Sequence, residues 1–316
     1  MATSNSVDFT VNRDTLIYDS FYDVGVLAVG QTAEADVFQH AVRKLNMMLK
    51  AWQTDGLQLW TWKDSFLVLE KGVSTYNLGP TGNHCTLSLT KTAMRVAAIA
   101  AATTMEIDSS SGMLAADYIG IELNTGETHW TTIASVTDGD TLVITSGIPA
   151  GKAAAIDNSV FSYRTKINRP LMISDLYIRD DAGNDRPVNL ISYNEYNYYG
   201  SKTSQSDASQ FVFDPQTTNA RFIAYPVPGN GTSQCIFRGK FPIQDMDETN
   251  NTFDCPQEWL LAIQTGLSVL LTPAAATTTE EFKKLVAIAT TEKERVSGFD
   301  RENNTSLYVQ PSRVHS

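Results

Sequence analysis

"VRKLNMMLKAWQTDGLQLW", Val42–Trp60, changes period partway along. Up to Trp52 the apolar residues recur at alternating spacings of three and four, and Phe38, Ala41, Leu45, Met48 and Trp52 make one helical stripe. Thr32 is placed to cap this helix, Glu34 and Asp36 suit the positive end of its dipole, and Gly56 offers the stop. Beyond it, "LQLWTWKDSFLVLEKGVSTYNLG" alternates and is rich in aromatic and branched residues, which predicts strands. A helix ending in Trp52 therefore delivers its chain into a strand bearing Trp60 and Trp62.

Helical patterns also occupy both ends of the chain. Leu16, Ile17, Ser20, Phe21 and Val24 form a short stripe within Asn12–Val29, closed by Gly25 or Gly30. Near the other end, Asp254 with Gln257 has the spacing of a capping box, and Pro256 sits in the first turn. Trp259, Leu260, Ile263, Leu267, Leu270 and Leu271 follow at helical spacing as far as Thr272–Pro273. A last helix starts near Thr278 with Glu281 and is expected to carry Phe282, Leu285, Ala289 and Val296 inward, with Lys283, Lys284, Lys293 and Arg295 outward. Neither pair can bury its stripe alone, so helices from both ends should meet in one body.

Between the helical ends the texture is β. From about Cys85 to Tyr163, short runs rich in Thr, Ala, Ile and Val alternate with turn signals, among them Asn124–Gly126 and Asp138–Gly139. Strands this short and regular suggest a small sandwich or barrel inserted into the host fold. A hairpin turning at Asp181–Asn184 resumes the host. A tyrosine-rich segment, "YNEYNYYGSKTSQSDASQ", reads as a surface loop, and "RFIAYPVP" and "QCIFRGKFP" as a strand pair around Gly229–Gly231. The expected fold class is α+β: an antiparallel helical bundle from the N- and C-terminal helices, with β-hairpins and the insert. Residues 1–84 and 161–300 would form a discontinuous body, 85–160 the insert, and 301–316 an extended tail.

Composition narrows the function. The chain of 316 residues is 42% hydrophobic and 19% charged, an ordinary globular balance. Its net charge of −11 argues against gripping nucleic acid through phosphates. Cys85, Cys235 and Cys255 are too few and scattered for a disulfide framework or a metal site, and the opening residues lack the pattern of a signal peptide, so a reduced cytosolic origin is expected. The N-x-T triplets at Asn230, Asn250 and Asn303 are then chance matches, and no apolar run reaches membrane-spanning length.

Catalytic signatures are sparse. "GIPAGKA", Gly147–Ala153, is one residue short of a phosphate loop and has Ala153 where a hydroxyl must hold Mg²⁺. The histidines His40, His84, His129 and His315 are far apart. "DDAGND" (Asp180–Asp185) reads as a turn and "DMDETNN" (Asp245–Asn251) as a helix approach; neither shows the twelve-residue calcium loop with its closing glutamate. Tyr193, Tyr196, Tyr198 and Tyr199 could stack on sugars or bases, the latter disfavoured by the acidic chain, although interface burial or strand packing explains them more simply. No cofactor or metal is expected.

The segment "FQHAVRKLNMMLKAWQTDGLQLWTWK" resembles the opening helix of the head-to-tail adaptor (head-completion or tail-accessory) proteins of short-tailed bacteriophages. The run A-x-x-x-L-N-x-M-L-x-x-W-x-x-x-G-L falls here on Ala41, Leu45, Asn46, Met48, Leu49, Trp52, Gly56 and Leu57. The ending "FPIQDMDETNNTFDCPQEWLLAIQTGLSVLL" is similar too, with an aspartate-rich linker and Pro256, Glu258 and Trp259 before a long helix. The resemblance covers roughly residues 12–82 and 161–300. It implies a structural virion protein rather than an enzyme, made in the host cytoplasm and placed at the portal–tail junction. Twelve copies would form a ring under the portal protein, extend the DNA channel and help to retain packaged DNA. The ring would meet the tail nozzle below, with fibres or tailspikes as further candidate partners at its sides. Double-stranded DNA would pass through transiently without sequence preference, and no membrane is involved.

The resemblance also implies roles for residues. Leu307, Tyr308 and Val309 would anchor the tail to the portal, and Trp52, Trp60, Trp62 and Trp259 would pack the joint between the helical body and the β-layer. The alternative for Trp52, Trp60 and Trp62 is that they fill a monomer's core and need no ring. Twelve copies would carry roughly 130 negative charges, enough to keep passing DNA from adhering. Three alternatives remain. One is a nozzle or fibre-docking protein. Another is a cell-wall glycan-degrading tail protein using Asp245, Asp247, Glu248 or Glu258, and the third is a carbohydrate-binding module resting on the tyrosines and the β-insert.

Overall fold

The computed structural model describes residues 9–55, 59–249, 251–274 and 278–300. The fold is α+β. Among the described residues there are five α-helices: α1 (Arg13–Val24), α2 (Ala35–Trp52), α3 (Tyr193–Asn197), α4 (Leu260–Leu271) and α5 (Thr279–Phe299). The chain divides into two compact units, Met1–Thr61 with Ile243–Ser316, and Trp62–Pro242. The first is helical and draws on both ends of the chain; α3 belongs to the second, which is otherwise β.

In the helical unit each element follows from its caps and its apolar face. The Asn12 side chain accepts from the Thr15 amide at 2.8 Å, and Gly25 at φ 72° ends α1 in the left-handed conformation glycine adopts without strain. The stop is therefore Gly25, not Gly30. Thr32 does not cap α2: the cap position is Glu34, with no side-chain hydrogen bond, and Thr32 lies too far upstream to reach the first free amides. The helix tightens into a 3₁₀ turn at Gln53–Asp55, and Gly56 and Leu57 lie outside the described residues.

Helix α4 is apolar almost all round and serves as the hub, with α1, α2 and α5 each packed against it. Its Gly266 lets α2 come close, since a Cβ there would stand 3.0 Å from Trp52 and 3.1 Å from the Met48 Sδ. The expected Asp254–Gln257 capping box is absent. Pro256 itself holds the cap position of a 3₁₀ turn, Gln257–Trp259, that leads into α4, which leaves Asp254 two residues outside. At Thr278 the box does form: the Thr278 hydroxyl accepts from the Glu281 amide at 3.3 Å, and the Glu281 carboxylate accepts from the Thr278 amide at 3.0 Å.

The inward face expected for α5 is only partly buried. Val296 is 4% exposed, but Phe282 is 38% exposed and Leu285 and Ala289 are half-buried. The apolar face of α5 is longer than its burial against α4 provides for.

The β unit begins with β1 (Trp62–Val68), β2 (Thr75–Leu78) and β3 (Cys85–Thr86). The chain then makes β4 (Thr90–Ala93), β5 (Thr104–Glu106), β6 (Tyr118–Glu122), β7 (Thr128–Val136), β8 (Thr141–Ile144) and β9 (Ser159–Tyr163). It continues through β10 (Met172–Arg179), β11 (Asp185–Pro187), β12 (Asn189–Ile191) and β13 (Gln205–Ser206). The last strands are β14 (Gln210–Asp214), β15 (Ala220–Tyr225), β16 (Val227–Pro228) and β17 (Gln234–Lys240).

Two sheets, ordered β11-β10-β17-β1-β3 and β12-β14-β15-β2, share one core that includes Leu67, Ile173 and Phe237 from the first and Tyr76, Phe211 and Phe222 from the second. "RFIAYPVP" and "QCIFRGKFP" are therefore not a strand pair. β15 is flanked by β14 and β2, and β17 by β10 and β1, so neither has a free edge for the other. The tyrosine-rich segment holds a helical turn, α3, capped by the Ser192 hydroxyl accepting from the Glu195 amide.

Strands β4–β9 form a sheet of their own, ordered β4-β9-β6-β7-β8-β5. A bridge between Met94 and Ile107, with the Arg95 amide donating to the Glu106 carbonyl and the Asp108 amide to the Ala93 carbonyl, joins its two outer strands into a barrel. Ile119, Ile121, Ile133, Leu142 and Val160 fill the interior. Both expected hairpin turns are present. Gly126 takes φ 76°, and the Asp138 carboxylate accepts from the Thr141 amide at 2.7 Å.

This barrel is seated on the neighbouring sheets. His84 stacks on Trp130 with 3.7 Å between ring centroids, and its Nδ1 shares a hydrogen bond with the Tyr163 hydroxyl at 2.6 Å. Lys71 donates to the Thr125 carbonyl at 2.9 Å, and a Cβ at Gly231 would meet the Gly126 carbonyl oxygen at 2.6 Å. Asp181 accepts from Lys91 and from the Ser159 hydroxyl, each at 2.7 Å. Burial, aided by the Lys166 charge, lowers the His84 pKa to about 3, so the stacked ring is neutral.

Candidate functional site: the tryptophan cluster and its groove

Three of the four candidate tryptophans meet in the helical unit. Trp259, 4% exposed, stands edge-on to Trp60 with centroids 4.9 Å apart, and 6.0 Å from Trp52. The Trp60 indole donates to the Asp254 carbonyl at 3.1 Å. Lys293 on α5 lies over the Trp52 ring at 4.9 Å and pairs with Asp55 at 2.7 Å. Trp62 opens β1 and belongs to the β unit. Leu307, Tyr308 and Val309 lie outside the described residues.

The aspartate-rich linker is held chiefly through its backbone, with one carboxylate, Asp245, adding an ion pair to Lys50. Asn46 accepts from the Met246 amide at 2.9 Å and donates to its carbonyl at 3.4 Å. Buried Arg13 donates to the Met246 and Asp247 carbonyls at 3.3 and 2.6 Å, and Lys50 to the Ile243 carbonyl at 2.6 Å. Met246 can then sink into the helical core while the flanking acids face solvent. Asp245 pairs with Lys50 at 2.6 Å, and Asp245, Asp247, Glu248 and Glu258 are all exposed, outside the apolar enclosure in which glycosidases raise a general acid.

The other candidates have structural partners. Tyr196 packs with Val212 and Ile223, Tyr199 stacks on Tyr225 at 4.3 Å, and Tyr193 accepts from Arg221, while Tyr198 is exposed. Strand packing thus takes Tyr196 and Tyr199. In "GIPAGKA" the Lys152 ammonium pairs with Glu127, and Gly151 turns the chain at φ 74°. His40 is exposed on α2, and His129 meets the Ser146 carbonyl at 2.9 Å. All three cysteines are free thiols; burial pushes Cys85 and Cys235 well up and Cys255 up to about 12. Among the described residues no group of three or more His, Cys, Asp or Glu side chains is placed to hold a metal ion, and no helix is long and apolar enough to cross a membrane.

Sequence reasoning missed an open groove beside the tryptophans. It has a volume of about 840 Å³ and lies between α2, α4 and α5. Met48 and Trp52 line it from α2, Gly266 and Leu270 from α4, and Val286 and Ala289 from α5. No local pattern marked it, because its lining comes from three helices far apart in the chain.

No family model matches the chain, and no curated protein matches it.

Proposed function

We propose that this chain is a structural virion protein, a head-to-tail adaptor. It forms a ring between portal and tail nozzle, extends the DNA channel and helps to retain packaged DNA. On this reading it is not an enzyme and needs no cofactor. It passes from the host cytoplasm to the portal–tail junction on assembly, and its partners are copies of itself, the portal and the nozzle, with fibres or tailspikes as lateral candidates.

One observation carries the reading: the two segments that bear the resemblance meet. Asn46 of the first holds Met246 of the second across 200 residues of sequence, and Trp52 and Trp60 of the first pack on Trp259 of the second. A lone amphipathic helix would need neither the asparagine nor the tryptophans. The net charge of −11 per copy suits a channel through which DNA slides.

The test is co-sedimentation with the portal ring of the same virus, using the full chain and a chain ending at Asn304. An adaptor anchored by its tail binds as the full chain and loses or weakens binding when shortened. If neither chain binds, the nozzle and fibre-docking readings take its place. A residue-dependent loss of wall lysis on changing Asp245, Asp247, Glu248 or Glu258 to its amide would instead favour the glycan-degrading enzyme.

A further inference from the structure

The groove of the helical unit is apolar, concave and close to where the chain leaves α5. Ser297, just before the end of α5 at Phe299, lines it together with Val286 near the other end of the helix. We infer that Leu307, Tyr308 and Val309 of the same chain occupy this groove in the unassembled protein, so that a partner must take the tail from it.

Reach permits this. From Val286 to Ser297 the helix rises about 17 Å, at 1.5 Å per residue. Leu307 follows Asp300 by seven positions, which can span up to about 23 Å of extended chain. The trio can therefore lie anywhere along the groove once the chain turns back on α5.

The chemistry fits as well. Leu307–Val309 is the one run of three apolar residues in 301–316. The groove offers an apolar lining, Trp52 from α2, Leu270 from α4 and Val286 and Ala289 from α5, against which apolar side chains can pack. Residues 301–316 carry Arg301 and Arg313 against a single Glu302 in an otherwise acidic chain, and Glu294 stands on the groove wall, where the Lys293 ammonium is already engaged by Asp55. Tethering supplies the rest, because a short linker holds the trio at an effective concentration on the order of millimolar.

The inference does not require the adaptor reading, and its test uses no portal. A labelled peptide of residues 301–316 is titrated by fluorescence anisotropy onto the full chain and onto a chain ending at Asp300, with circular dichroism confirming that the shortened chain is folded. The shortened chain should bind the peptide. The full chain should bind it at least about tenfold more weakly, because its own tail competes. Leu307→Asp with Val309→Asp in the peptide, or Ala289→Glu in the groove, should abolish binding to the shortened chain. Equal binding by both chains, or none by the shortened chain, overturns the inference. So does a mass measurement showing that the shortened chain pairs with a second copy through the groove and leaves the peptide free. Portal binding can succeed or fail independently of each result.

Discussion

In the barrel, the outer strands β4 and β5 are brought together at Met94 and Ile107, and the apolar side chains turn into a shared interior. In the helical unit, α4 is surrounded by neighbours, yet α5 keeps Phe282 exposed and Leu285 and Ala289 half-covered beside an open groove. A closed sheet has no edge left to recruit a partner. A helix with an incompletely covered apolar face does have something left to offer. On these grounds, association is expected through the helices, with the barrel held in place by its own contacts.

Removing the pin of the helical unit should have the largest effect. Trp259→Ala takes away the ring on which both Trp52 and Trp60 pack, and it should cost about 3–5 kcal/mol by denaturant unfolding. A loss below about 1 kcal/mol would show that the cluster is not central.

The barrel can be challenged at Gly120, where an added Cβ would meet the Trp130 ring at 2.6 Å. That ring is already stacked on His84 and cannot move freely. Gly120→Ala should cost about 1–3 kcal/mol, read by thermal unfolding. A neutral outcome would mean that the seat of the barrel is looser than its geometry.

Asn46→Ala should cost about 1–2 kcal/mol and loosen the linker, because it removes both hydrogen bonds to Met246. Hydrogen exchange at the Met246 amide should rise; unchanged protection would remove Asn46 from its assigned role.

The smallest effect is a pH dependence. An unfolded chain protonates His84 below about pH 6.5, while the folded chain resists until about pH 3. This contribution is whole above pH 6.5 and is lost progressively as the pH falls toward 3. His84→Phe keeps a ring on Trp130 but cannot take up the proton. Between pH 6.5 and 5.5 the native protein should lose roughly 2–4 °C of Tm more than the variant does. Parallel curves would show that His84 is not held neutral.

Much local chemistry was readable from the sequence, although the caps expected at Thr32 and Asp254 do not form, and long-range choice was not. The α2 stripe, the capping box at Thr278 and the turns at Gly126 and Asp138 depend on neighbours within a few residues, and each is present. Periodicity showed that α5 has an apolar face but not whether anything covers it. The pairing of β15 with β14 and β2, rather than with β17, depends on strands far along the chain. Trp62 is two residues from Trp60 and lies in the other unit, because the boundary falls at Thr61. The groove was invisible because it exists only once Gly266 of α4 faces Met48 and Trp52 of α2.

The most direct test of the adaptor reading is the mass of the full chain bound to saturation on the portal ring of the same virus. An adaptor saturates at one copy per portal subunit. No complex, or saturation at another ratio, contradicts it.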